Sequence, residues 1–335
     1  PIPLEINVQQ NGYTGEIQYL FDYSAFNGQF GGGYYEIDTT QTDLDGIADY
    51  TTRHANVYVY TYFRYPRQLM WTAGLSYDAL DHPPIGDFDQ FNPKLGLNWS
   101  VTDRTNLRLA AFRGLKRTLI ADQTVEPTHV AGFNQLYDDF NGTDARLYGA
   151  GVDHRIIDQI QCGVEYYLRR LETRLDSNLP DPIEEDWNED TFRVYAYWAI
   201  SSMLALSTEY TYEYFEREEV LSGTVPLEMK THTAPLKLNL FFPSGFFSRL
   251  SATYVNQEVT FDVRPTESKK DAFDVYDLSV GYRFPSRYGM LSFEVNNLFD
   301  KGFNYLSIDS RTSHFETTIP FLPERTFLFR LTLSF

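Results

Sequence analysis

The sequence predicts an all-β fold: a transmembrane, antiparallel, up-and-down β-barrel of about sixteen strands. Three observations predict it. Long runs alternate apolar with polar residues at a period of two. Short connections built from turn residues alternate with longer polar ones. The C-terminal segment puts Phe327, Phe329, Leu331, Leu333 and Phe335 on one parity, and Thr326, Arg330, Thr332 and Ser334 on the other. A period of two sends those sets to opposite faces of one strand.

Taken in order, the runs are about 3–10, 15–23, 28–38, 53–64, 68–79, 91–101, 106–116, 145–155, 159–173, 190–200, 203–216, 227–242, 246–262, 272–284, 289–298 and 324–335. Nearly all reach or exceed the roughly 9–11 residues that cross the hydrocarbon at a tilt. The clearest alternation is Phe192, Val194, Ala196 and Trp198 against Arg193, Tyr195 and Tyr197. Leu204 to Tyr214 and Leu278 to Phe284 repeat it. Gly31-Gly32-Gly33 inside the third run implies a bulge, or room for a neighbour's bulk.

Tyr65-Pro66-Arg67, Thr102 to Thr105, Ile156 to Asp158, Pro243-Ser244-Gly245 and Pro285 to Tyr288 are short turns. Pro fixes φ there, and Gly, Asp and Ser suit tight reversals. The longer connections are about 38–52, 80–90, 117–144, 174–189, 217–226, 263–271 and 299–322. A transmembrane barrel segregates loop length in this way, with short periplasmic turns and long extracellular loops. An even strand count would leave both ends in the periplasm. The last strand ends there, so 299–322 is expected to be extracellular. A propeller would need a blade-length repeat, and none is visible.

Composition agrees. No apolar run approaches the roughly 18 residues of a membrane-spanning helix. Tyr (25) and Phe (26) are abundant, as in strands and aromatic girdles. One cysteine, Cys162, excludes an intramolecular disulfide framework. The net charge of -18 argues against a nucleic-acid partner. Acidic clusters lie at Asp43, Asp45 and Asp49, and at Asp181, Glu184, Glu185, Asp186, Glu189 and Asp190. They serve solubility, attract cationic solutes or hold divalent cations weakly.

Inverting the lipid-facing parity gives the expected lumen-facing residues. They are Arg108, Glu165, Arg169, Arg193, Glu209, Glu213, Lys237, Arg283, Glu294 and Arg330. Arg or Lys facing lipid costs about 2–4 kcal/mol at the midplane, which drives them inward. They form an ion-pair lattice that holds the barrel, or a charged constriction that selects solutes. About sixteen strands leave a channel unless something fills it. The longest internal connection, Arg117 to Asp144, carries Leu119, Ile120, Val125, Val130, Phe133, Leu136 and Tyr137. Such a loop packs on something. It folds into the barrel mouth or forms an extracellular docking surface.

No catalytic pattern stands out. His54, His82, His129, His154, His232 and His314 have no metal-ligand spacing, and His232 and His314 read as solvated residues near loops. No GxSxG, P-loop or HExxH occurs, and nothing marks a Ser/His/acid triad. Asn141-Gly142-Thr143 fits a glycosylation pattern that a bacterial membrane makes irrelevant. No cofactor, metal or catalytic residue is expected.

Three segments resemble TonB-dependent outer-membrane receptors. Phe293 to Lys301, FEVNNLFDK, resembles the penultimate-strand motif ending in NLFDK. Pro323-Glu324-Arg325-Thr326-Phe327 resembles the lead-in to their last strand, and the apolar face Phe327, Phe329, Leu331, Leu333 and Phe335, ending in an aromatic, resembles the barrel-assembly signal of bacterial outer-membrane barrels. Phe112 to Arg117, with Glu126-Pro127, loosely resembles a third motif; Lys116-Arg117-Thr118 departs from it. Residues 91–101 and 115–143 also resemble a subgroup with N-terminal tetratricopeptide repeats. The resemblance implies a Gram-negative outer-membrane transport channel. Its surroundings would be outer-membrane lipid, lipopolysaccharide and the barrel-assembly machinery, with a periplasmic module or TonB as partner. The chain shows no plug-like segment and no TonB box, and it is too short for the family's 22 strands. It is therefore expected to be one barrel, 1–335, from the C-terminal part of a longer exported protein whose targeting segment has been removed. The alternatives are an exopolysaccharide-export barrel with a periplasmic repeat module, a stand-alone diffusion porin, and a non-conducting scaffold for a partner protein.

Overall fold

A computed structural model describes residues 7–23, 26–43, 46–120, 123–175, 182–218, 225–261, 267–307 and 324–334. It contains β1 (Asn7–Asp22), β2 (Phe26–Asp43), β3 (Gly46–Arg64), β4 (Leu69–His82), β5 (Gly86–Thr102), β6 (Thr105–Leu115), β7 (His129–Val130), β8 (Phe133–Asn134) and β9 (Asp144–Ile157). Then follow β10 (Ile160–Leu175), β11 (Ile183–Ala199), β12 (Leu204–Arg217), β13 (Pro226–Phe241), β14 (Phe246–Phe261), β15 (Glu267–Arg283), β16 (Gly289–Asn296) and β17 (Thr326–Leu333). Fifteen form one sheet in chain order, while β7 and β8 pair only with each other. Every pairing whose register is resolved is antiparallel, for example Phe26↔Phe63 through Asp43↔Gly46.

Several expectations are corrected. The runs 3–10 and 15–23 are a single strand, β1, in unbroken register with β2 from Asn7↔Thr42 to Asp22↔Asn27. The main sheet counts fifteen strands among the described residues, against about sixteen expected. No bulge forms at Gly31-Gly32-Gly33, since their register is continuous. Those glycines make room instead: a Cβ on Gly31 would lie 2.6 Å from the Tyr58 hydroxyl. The connections expected at 38–52 and 80–90 are mostly strand, with β2 and β3 reaching Asp43 and Gly46, and β4 and β5 reaching His82 and Gly86. Here polar residues occupy both parities, so the alternation vanishes while the backbone ladder continues. Thr40 Oγ1 donates to Asp49 at 2.6 Å, and Thr51 Oγ1 to Asp38 at 2.7 Å, across that extension. At about 3.3 Å per residue, β3 is roughly twice as long as the hydrocarbon is thick. His232 is a β13 residue whose ring packs 4.8 Å from Tyr212, not a loop residue. Phe335, His314, Asp45, Asp181 and most of 299–322 lie outside the described residues.

By contacts the chain divides into two compact units: Pro1–Val101 with Leu107–Ala150 and Leu168–Trp187, and Thr102–Asn106 with Gly151–Tyr167 and Asn188–Phe335. In the first unit, burial is inverted relative to a water-soluble protein. Along β3, Thr52, His54, Asn56, Tyr58 and Tyr60 are buried, and Ala55, Val57 and Val59 between them are exposed. Tyr60 and Asn92 are 0% exposed, against 61% for Val57 and 62% for Leu95. An apolar face left outside and a polar one packed inside mean that the outer solvent is hydrocarbon. In the second unit, Phe293 stacks 6.2 Å from Phe327 on the apolar face. Register sets Phe329 opposite Phe293 and Leu331 opposite Leu291.

Aromatic rings gather where strands meet the short turns. Phe63 and Trp71 stack at 6.1 Å, and the Trp71 indole N–H donates to the Tyr65 carbonyl at 3.0 Å. Phe246 lies 4.8 Å from Tyr282 in the second unit. Rings with an apolar body and a polar edge suit a membrane interface. The NLFDK segment is a clasp. The Asn297 side chain accepts from the Lys301 N–H at 2.8 Å and donates to the Lys301 carbonyl at 2.9 Å. Asp300 Oδ1 accepts the Arg325 N–H at 3.0 Å, one residue before β17.

Candidate functional site: the polar face and the strap upon it

The most elaborate arrangement lies in the first unit, where the connection between β6 and β9 packs on the polar face. Its neck is closed by Lys116 N–H to the Thr143 carbonyl and Gly142 N–H to the Lys116 carbonyl, both 2.9 Å. The segment 123–141, hereafter the strap, contains the β7–β8 hairpin. Ala131 (φ 49) and Gly132 (φ 90) turn that hairpin with two successive positive φ, as a type I′ turn requires.

Two wall glycines form the strap's seat. A Cβ on Gly96 of β5 would lie 2.9 Å from Val130 Cγ1, and one on Gly149 of β9 would lie 2.6 Å from the Phe133 ring. Val130 is 0% and Phe133 2% exposed. The Arg108 guanidinium covers the Phe133 ring at 5.2 Å.

Around the seat runs a buried polar network. Arg117 donates to Asp78 Oδ1 at 3.3 Å and to Glu126 Oε2 at 2.9 Å. Glu126 also accepts from Tyr60 OH at 2.9 Å and from Asn56 Nδ2 at 3.0 Å. Asp78 pairs with His54 Nε2 at 3.0 Å, and accepts from Ser76 Oγ at 3.1 Å and Asn92 Nδ2 at 2.6 Å. Gln90 joins Asn92 at 2.6 Å to Asp144 at 3.1 Å. Lys94 Nζ donates to the Arg113 carbonyl at 3.2 Å. From β1, Glu16 accepts the Val125 N–H at 2.6 Å. Arg169 of β10 pairs with Asp139 and covers the Tyr137 ring at 3.6 Å. Buried charges of both signs thus meet in hydrogen-bonded pairs.

The second unit carries its own polar face. Arg193 Nη2 donates to Glu209 Oε2 at 2.7 Å and the guanidinium lies 4.8 Å above the Tyr195 ring. Tyr195 OH donates to Asp153. Glu165 is within electrostatic reach of Arg193, and Lys237 of Glu209. Register sets Lys237 opposite Ser207 and Glu213 opposite Thr231. It also sets Glu294 opposite Ser279, Arg283 opposite Met290 and Arg330 opposite Ser292.

Of the ten charged residues singled out from sequence, Arg108 and Arg169 meet the strap, while Arg193, Glu209, Glu165 and Lys237 form one charged group. Glu213, Arg283, Glu294 and Arg330 stand at separate register positions. Of the residues that join strap to wall, Arg117 and the strap's own Glu126 were named only in a motif resemblance and His54 only among the histidines; Asn56, Tyr60, Asp78, Asn92, Lys94, Gly96 and Gly149 were not singled out. Their signal was the alternation Thr52, His54, Asn56, Tyr58, Tyr60 and Gln90, Asn92, Lys94, Gly96. Among the described residues, no group of three His, Cys, Asp or Glu is placed to hold a metal.

Known proteins place this architecture. Residues 3–298 match the family described as TonB dependent receptor-like, beta-barrel. No curated protein matches the chain in sequence. In structure it is similar to the FrpB iron transporter from Neisseria meningitidis, with TM-score 0.65 and 12% identity, over 90% of this chain and 52% of that one. It is similar to the ferric enterobactin receptor PfeA from Pseudomonas aeruginosa, with TM-score 0.62 and 13% identity, over 88% and 49%. It is also similar to the copper transporter OprC, with TM-score 0.61 and 15% identity, over 90% and 52%. The chain spans about half the length of these proteins. The polar-in, apolar-out sheet and the family match agree: the chain belongs to the TonB dependent receptor-like β-barrel family and is an outer-membrane β-barrel.

Proposed function

We propose that residues 1–335 serve as one barrel module that gives a polar solute a path across the outer membrane, without a catalytic step. The observation that supports this reading is the inverted burial: ionised and amide side chains line the packed face, and Val, Leu and aromatic side chains the exposed one. In a membrane barrel that face is the lumen. Arg193, Glu209, Glu165 and Lys237 would line the path in the second unit, with Glu213, Arg283, Glu294 and Arg330 along it. Arg108 and Arg169 would line it where the strap sits.

The similar structures are named for iron, ferric enterobactin and copper, all polar or metal-bearing cargoes. This reading takes from them the conduit, not the cargo. TonB or a periplasmic module is the energising partner that the family membership suggests, with the barrel-assembly machinery and lipopolysaccharide as the membrane surroundings. The test is single-channel recording of the full-length protein in planar bilayers under a KCl gradient. A small conductance with a reversal potential that moves when Glu165, Glu209 and Glu213 are changed together to Gln is expected. A folded barrel that passes no current in any variant would sink the conduit reading.

A further inference from the structure

We propose that the strap, 123–141, is the adjustable constriction of that path: seated it narrows the lumen, and unseated it widens it. This rests on the conduit reading. Three features carry it beyond a loop that merely packs.

First, the wall is cut to receive the strap. Gly96 and Gly149 stand where a Cβ would collide with Val130 and Phe133, so the seat is encoded in two strands distant in sequence. Second, the contacts are mostly polar. Glu126 is held by Arg117, Tyr60 and Asn56, Gln135 donates to the Tyr60 hydroxyl at 3.2 Å, and the Val125 backbone is held by Glu16. When the strap lifts, these polar groups find water in a lumen, and the cost lies in exposing Val130 and Phe133. Third, the seat keeps small gaps. A cleft of about 50 Å³ lies beside Phe112, Gly114, Leu136, Tyr137 and Arg169. Another of about 40 Å³ lies beside Ser76, Asp78, Lys94, Arg117 and Glu126. Each has room for a few water molecules beside the strap's polar contacts. A segment held by polar contacts over gaps moves as a unit at lower cost than a core element.

Conductance of the full-length protein in planar bilayers tests this, with heat-modifiable gel mobility confirming a folded barrel. Two variants widen the path by different means. Gly96→Leu fills the seat and keeps the strap, and replacing Thr124 to Tyr137 by a short Gly-Ser linker removes the strap. A several-fold rise in unit conductance over the unaltered protein is expected of both. Linker replacement with unchanged conductance overturns the proposal and leaves the conduit reading standing. No current in any variant overturns both.

Discussion

Asp78 shows how a single residue earns its place on the polar face. Its carboxylate takes four partners: His54, Ser76, Asn92 and Arg117. Asp78→Ala leaves the Arg117 guanidinium with Glu126 and the Thr124 hydroxyl, and removes the carboxylate that His54 pairs with. Breaking a buried pair by removing one partner costs about 3–5 kcal/mol. A loss near the lower end of that range is expected in urea unfolding of the vesicle-inserted barrel, followed by Trp fluorescence. The Asn297 clasp is a second case. Asn297→Ala loses two hydrogen bonds to the backbone of the exposed Lys301, and a typical intramolecular hydrogen bond is worth about 0.5–1.5 kcal/mol net. The same unfolding measurement checks it, and a loss below a few tenths would show that water replaces the clasp.

The strand β17 shows the same logic for an element. Its faces are Phe327, Phe329, Leu331 and Leu333 against Leu328, Arg330 and Thr332, set by register to β16. An arginine on the apolar face costs about 2–4 kcal/mol near the midplane and little on the lumen side. Phe329→Arg is therefore expected to lower folding yield into vesicles, and Thr332→Arg to leave it close to unaltered. Equal yields would mean that β17 does not present this face to lipid. The end of the chain was legible because its apolar and polar sets separate cleanly by parity. The extensions of β2 to β5 were not, because Asp38, Thr39, Thr40 and Thr51 are polar on both faces, so a strand in water looks like a loop.

For the whole molecule, the inverted burial yields a prediction about selectivity. Arg193 and Glu209 neutralise each other, so neither one alone sets the sign of the path. Arg193→Gln frees Glu209 and is expected to shift the reversal potential toward greater cation preference, while Glu209→Gln shifts it the opposite way. Shifts of one sign for both variants would place this pair outside the conducting path.

What the sequence by itself determined is the membrane solution: period-two runs with charge on one parity and apolar side chains on the other fit one arrangement, apolar out and polar in. It also supplied the turns and the motifs of the penultimate and last strands, because these are local patterns of adjacent residues. Tertiary structure alone decided the strand count, the straight passage of β1 through Gly12, and above all where residues 123–141 go. Between the mouth and an outer docking surface the sequence left both open. The choice depends on Gly96, Gly149, Asp78 and Asn56, whose wall positions complement the strap's Val130, Phe133 and Glu126. That complementarity exists only once strands far apart in the chain lie side by side, so no local period announces it.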